Sequence, residues 1–265
     1  MIYKLNKRNI IIFSICLLVL VTSVIGILMI KEEKIIETSS KEINWGLSFK
    51  NENKAPIGNM TKDELKDYGA YFLGEGKNIY LTFDCGYENG YTEKILDVLK
   101  EENVKACFFV VGNYLETSSD LVKRMIEDGH TVANHSFNHK DMTKLREEEL
   151  LNELNLLENK YEEVTGEEMK KIYRPPQGKF TKENLNILNK NGFKTILWSL
   201  AYEDWLNDKQ PEKTYALDKL NSRIHDGCIL LLHSTSKTNS EILKDLIISY
   251  REKGYDFSPI EELFN

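Results

Sequence analysis

The chain has 265 residues, of which 41% are hydrophobic and 29% charged, and a formal net charge of −7. This composition excludes a disordered polymer and a multi-domain array, and leaves room for one sizeable core. Four cysteines are too few for a disulfide scaffold; with Cys16 inside an apolar segment, Cys85, Cys107 and Cys228 remain, so at least one should be a free thiol or a ligand.

Residues 10–30 are 21 mostly apolar positions, enough to cross a bilayer at about 1.5 Å per residue. Lys4, Lys7 and Arg8 precede them, which predicts a cytoplasmic N-terminus over 1–9 and a single-pass anchor in a bacterial cell membrane. A cleaved signal peptide is the rival, but the stretch is long and has no Ala-x-Ala site. Beyond the anchor, 31 Lys and Arg face 42 Asp and Glu, so this extracytoplasmic part carries no electrostatic footprint for nucleic acid. Residues 31–70 read as a stalk and wrapping segment that docks at Trp45, and 71–265 as one folded domain. Nothing in the sequence fixes the oligomeric state.

From residue 79 strand and helix patterns alternate. Strands are predicted over 79–84, 106–112, 130–135, 171–175, 193–200, 228–233 and 255–260. The longest helix is predicted over 146–165, with Leu150, Leu154, Leu157 and Tyr161 on one face and Gly166 as its C-cap. Others follow Thr181 up to Gly192 and run over 238–253. Seven strands joined by helices imply parallel pairing, hence an α/β chain with a single, distorted (β/α) barrel behind an N-terminal transmembrane helix. A doubly wound sheet is the alternative, but the glycine-rich phosphate turn it often carries is missing.

Several strands end in reactive side chains. The first is apolar until Asp84 and then breaks at Gly86, Asn89 and Gly90. The third ends at His135, with His139 four residues on; two imidazoles at a strand end can converge on one ion. The fourth runs into Arg174, which Pro175 and Pro176 hold in a rigid turn. After the fifth come Asp204 and Trp205, and the sixth is wholly apolar until His233. Each alone has an ordinary structural explanation. On parallel strands, however, Asp84, His135, Arg174 and His233 gather at the C-terminal face, where barrels of this kind build active sites. His130 opens a strand and His225 ends a helix, so both read as structural.

At these residues the chain resembles the polysaccharide deacetylases, the NodB-homology carbohydrate esterases, over roughly residues 70–265. The matching motifs are Thr82-Phe83-Asp84-Cys85-Gly86, His135-Ser136-Phe137-Asn138-His139, Arg174-Pro175-Pro176-Gln177-Gly178, Asp204-Trp205 and Leu231-Leu232-His233. The 86–90 continuation resembles the branch that makes muramic δ-lactam in spore peptidoglycan. The resemblance implies a metal-assisted de-N-acetylase acting on a peptidoglycan glycan strand, with zinc, cobalt or manganese on His135 and His139. It also implies Asp84 as base, Arg174 as its partner, and His233 as acid oriented by Asp204. Trp205, Leu231, Tyr173 and Pro175 would contact substrate. Cys85 departs from the family, which usually has a metal-binding aspartate there. It either supplies a thiolate or is a small neutral filler, and filler is the expectation.

Overall fold

A computed structural model describes residues 15–29 and 41–264 of the chain. The chain divides into two units, Met1–Lys41 and Glu42–Asn265. In the first, the described residues form one helix, α1 (15–29). The membrane anchor expected over 10–30 lies partly outside the described residues. Among those described, no helix is long and apolar enough to cross a membrane.

The second unit opens with short strands β1 (Ile43–Asn44), β2 (Leu47–Ser48) and β3 (Ile57–Gly58), the last two paired with each other. Thr61 then starts helix α2 (Lys62–Asp67) through a reciprocal capping box with Glu64. After β4 (Ala70–Tyr71) and β5 (Asn78–Cys85) strands and helices alternate. They are α3 (Thr92–Glu101), β6 (Cys107–Val110), α4 (Gly112–Thr117), α5 (Ser119–Glu127), β7 (Thr131–Asn134), α6 (Glu147–Thr165), β8 (Ile172–Tyr173) and β9 (Lys179–Phe180). Then follow α7 (Lys182–Lys190), β10 (Lys194–Ile196), α8 (Lys213–Arg223), β11 (Cys228–His233), α9 (Lys237–Glu252) and β12 (Asp256–Phe257). Strand β9 pairs with β1, which ties the N-terminal segment to the domain; Trp45 anchors it further, its indole N–H donating to Trp198 O at 2.9 Å.

The main sheet has the order β11-β5-β6-β7-β8-β10-β4, with β12 added on β5. Every ladder in it is parallel. The sheet curls on itself, and beyond β10 one parallel bridge, Leu200 to Leu230, brings the chain back to β11. The result is a curled parallel half-barrel, consistent with a distorted (β/α) barrel. All seven predicted strands are present, several of them shorter than expected. Several short elements were not predicted; of these, two-residue β4 carries no usable period, and neither does the longer α8, which buries only Ala216 and Leu220.

Side-chain alternation along the strands sorts the core. Ile79, Leu81, Phe83 and Cys85 of β5 face outward into one cluster with Leu96 and Leu99 of α3 and Ile242 and Leu246 of α9. Tyr80 faces inward, with Phe109, Ala133, Ile172, Ile196 and Ile229. The same parity carries Asp84, His135, Arg174 and His233 to the inside at the C-terminal ends of their strands. Helix α6 ends at Gly166 with φ 75°, a left-handed cap that glycine adopts without steric cost.

Candidate active site

Asp84 ends β5 and is 8% exposed. Its Oδ1 accepts from Arg174 Nη1 at 2.8 Å, and its Oδ2 lies 3.5 Å from His135 Nε2. Burial pushes this carboxyl up, but the Arg174 guanidinium, then His135 and His233, bring it below the ordinary aspartate value. Arg174 is fully buried over the Phe109 ring, its Nε–H donating to Ile196 O at 3.2 Å. A guanidinium so enclosed is fixed, and it holds Asp84 ionised in one orientation.

The β7–α6 loop carries the two histidines. His135 donates Nδ1–H to Arg174 O at 2.9 Å, which leaves a lone pair on Nε2 facing Asp84. Burial keeps its imidazole neutral, with a pKa lowered to about 4. The His139 ring stands 4.9 Å from that of His135, centroid to centroid. Ser136 (φ 63°) and His139 (φ 52°) both take left-handed backbone, which a non-glycine residue adopts only when its surroundings impose it. Buried Glu153 of α6 imposes it here. Its carboxylate accepts from Asn138 N and Nδ2, each at 2.9 Å, and pairs with Lys140 Nζ at 2.7 Å. Its carbonyl accepts from Phe137 N at 3.2 Å. Sequence reasoning missed Glu153; an acid among leucines on the apolar face of α6 was the available signal.

His233 ends β11 half-buried. Its Nδ1–H donates to Asp204 Oδ1 at 2.7 Å, while Asn239 Nδ2 donates to Asp204 Oδ2 at 2.6 Å. Burial alone would lower the His233 pKa; the Asp204 charge and hydrogen bond outweigh it and raise it above the ordinary histidine value. The two pairs, Asp84–Arg174 and His233–Asp204, therefore place an ionised carboxylate and a readily protonated imidazole around one cleft.

That cleft holds about 470 Å³, and Asp84, His135, His139, Trp205, Leu231 and His233 all line it. Trp205 is half exposed with its ring 5.6 Å from that of His233. Tyr87, Gln177, Trp198 and Thr235 line it as well and were not predicted. Two expectations need correction. Tyr173 does not reach the cleft: it precedes Arg174 on the strand, faces outward and packs with Leu150, Leu154 and Phe193. Pro175 is buried in the turn and is not among the cleft-lining residues; Gln177, at φ 59°, lines it instead.

The polysaccharide deacetylase family profile matches residues 74–196. A peptidoglycan-N-acetylmuramic acid deacetylase, PdaA of Bacillus subtilis, is 38% identical over 84% of this chain and 86% of its own length. The chain belongs to the polysaccharide deacetylase family. The solved structure of PdaA, a family 4 carbohydrate esterase, superposes with a TM-score of 0.81 over 85% of this chain and 97% of that one. A family 4 carbohydrate esterase from Bacillus anthracis, 41% identical, gives 0.71 over 86% and 98% of the two chains. An uncharacterised 30.6 kDa protein of Geobacillus stearothermophilus is 44% identical over 85% and 86%.

Polysaccharide deacetylases imply a divalent metal, and the donor chemistry here can be tested against one. His135 is neutral and its Nε2 is unprotonated, as a ligand must be; the His139 ring is adjacent. Cys85 does not join them. It follows Asp84 on the strand, faces the helices, is fully buried, and burial pushes its thiol far above the ordinary cysteine value. Among the described residues, no three His, Cys, Asp or Glu side chains stand close enough to hold an ion by themselves. His135 and His139 are the residues that would hold such an ion, with no third protein ligand beside them among the described residues.

Proposed function

We propose that the protein hydrolyses N-acetyl groups of peptidoglycan amino sugars, and that its substrate is N-acetylmuramic acid on the way to the muramic δ-lactam of spore cortex. The observation that carries the reaction is the pair of oriented dyads, Asp84–Arg174 and His233–Asp204, facing one cleft. Asp84, ionised, takes the proton of the attacking water. His233, protonated through Asp204, gives a proton to the departing sugar amine. Trp205 and Leu231 enclose the acetyl methyl. His135 and His139 would hold a divalent ion, zinc in the first instance, whose chemistry when bound is to polarise the acetyl carbonyl and activate water. The muramic preference is supported by the 38% identity to PdaA, whose name specifies that sugar.

The domain belongs outside the membrane in this reading, with residues 10–30 as its tether, because its substrate is there. Membrane retention after a high-salt wash supports the tether; a soluble chain starting near Ile27 overturns it. Acetate release from purified cell wall tests the reaction. Mass spectrometry of muropeptides from a strain lacking the protein identifies the sugar, loss of muramic lactam being the expected result. A carbohydrate-binding pseudoenzyme is the second reading, favoured by Cys85 in place of the metal-binding aspartate. Acetate release by the purified protein excludes it.

A further inference from the structure

Beside the candidate active site lies a second hollow of about 440 Å³, lined by Ser48, Phe49, Trp198 and Arg223 among others. Trp198 lines both it and the catalytic cleft, so the two hollows adjoin at that residue. The Arg223 guanidinium stands over the Phe49 ring, 4.2 Å from its centroid. The described residues contain five arginines, and Arg124, Arg146, Arg174 and Arg251 each hold a carboxylate. Arg223 alone has no acidic partner among the described residues. That is unexpected in a chain with an excess of acids over bases, which has many carboxylates to offer.

The surroundings explain how such a guanidinium can remain unpaired and what it would bind. A guanidinium packed over an aromatic face keeps its planar fork of N–H donors, which can take a carboxylate bidentately. Trp198 and Ser48 complete the lining on the side of the catalytic cleft and the N-terminal segment. A chitin strand carries no carboxylate. A peptidoglycan strand carries carboxylates, on the lactyl ether of each stripped muramic residue or on the stem peptide attached there.

We infer that the Arg223–Phe49–Trp198 hollow is a subsite for a carboxylate of the glycan strand, and that it selects acidic peptidoglycan strands over neutral amino-sugar polymers. The inference rests on the deacetylase reading above and assigns that reaction its selectivity. Phe49 arrives with the N-terminal segment, so residues 42–60 contribute to recognition as well as to packing.

The test compares the full-length parent with Arg223→Gln and Arg223→Lys on four substrates. These are peptide-stripped glycan strands, the same strands with lactyl carboxylates amidated, intact peptidoglycan, and chito-oligosaccharides. For Arg223→Gln the ratio of kcat/KM on stripped strands to that on chito-oligosaccharides should fall at least about tenfold, mostly through KM, the scale of one charge-assisted contact. Arg223→Lys should recover part of it. The parent should lose a similar factor on amidated strands, a result independent of how any variant folds. A penalty confined to intact peptidoglycan assigns the carboxylate to the stem peptide, and one on stripped strands assigns it to the lactyl group. Equal losses on all four substrates, or none, overturn the subsite. If the parent releases no acetate from any glycan, the deacetylase reading fails separately. Calorimetric binding of stripped strands to parent and Arg223→Gln protein still decides the subsite, with equal affinities refuting it.

Discussion

Asp204 holds His233 with both carboxylate oxygens. Oδ1 accepts from the ring Nδ1–H at 2.7 Å, and Oδ2 from the backbone N–H of the same residue at 2.8 Å. The ring is thereby fixed in orientation and tautomer, with Nε2 as the group that can give a proton. Because its pKa is raised, His233 is protonated to higher pH than an ordinary histidine, and an acid acts only while protonated. The kcat profile should therefore fall as pH rises through that raised value, and Asp204→Asn should move this alkaline limb to lower pH. Rates of acetate release across pH measure it; an unmoved limb removes His233 as donor. The same shift contributes stability that is full below the unfolded histidine pKa and is lost as pH rises through the folded one.

Asp84→Asn and His233→Ala should each lose at least about a hundredfold in kcat, since general acid–base groups contribute roughly 10²–10⁴. Near-parental turnover by either variant in a single-turnover assay would exclude that residue. His225→Ala should leave turnover far less affected but lower the melting temperature, because His225 is buried and bonded through Nε2 to Ser199 Oγ at 2.8 Å.

Arg174→Met should destabilise the fold by about 3–5 kcal/mol, the cost of leaving one member of a buried ion pair alone. Asp84 would then lose its largest favourable charge and its pKa would rise, so the acid limb of activity should shift to higher pH. Denaturant unfolding and the pH profile measure the two effects. An unchanged acid limb would show that Asp84 is not the base.

Cys85→Ser should bind metal and turn over almost as the parent does, at a stability cost of about 1–3 kcal/mol for a hydroxyl in an apolar environment. Cobalt-substituted parent should show no sulfur-to-metal charge-transfer band. A clear thiolate band would mean that the thiol turns from the core to the ion.

Glu153→Ala removes three acceptor contacts that hold Asn138 and Lys140. The strained backbone at His139 should relax, and zinc affinity measured by calorimetry should fall by about 10–100-fold, the scale of lost outer-shell support. Lys140→Ala, which deletes only a half-exposed partner, should cost much less. Equal affinities in parent and Glu153→Ala would show that the loop keeps its shape without the clamp.

The sequence by itself determined the strand–helix order and the ends of the strands, because apolar runs that stop at Asp84 and at His233, in a chain of alternating strands and helices, read as buried strands delivering polar residues to one rim. The period of two along those strands was also legible. Followed one residue either way, it turns Cys85 and Tyr173 outward, and the expectation that Tyr173 meets substrate neglected it. Tertiary structure alone decided the rest. Glu153 is 18 residues from His135 in the chain and reaches the histidine loop only because α6 packs back across β7. Trp198, Tyr87 and Gln177 meet in one cleft because the sheet curls, bringing the loops after β5, β8 and β10 together. Phe49 and Arg223 become neighbours through the packing of an N-terminal segment against the end of α8. Such contacts depend on how far a sheet curls and which turn of a helix lands on it. Those are sums over many weak packing terms, and no local pattern of residues encodes them.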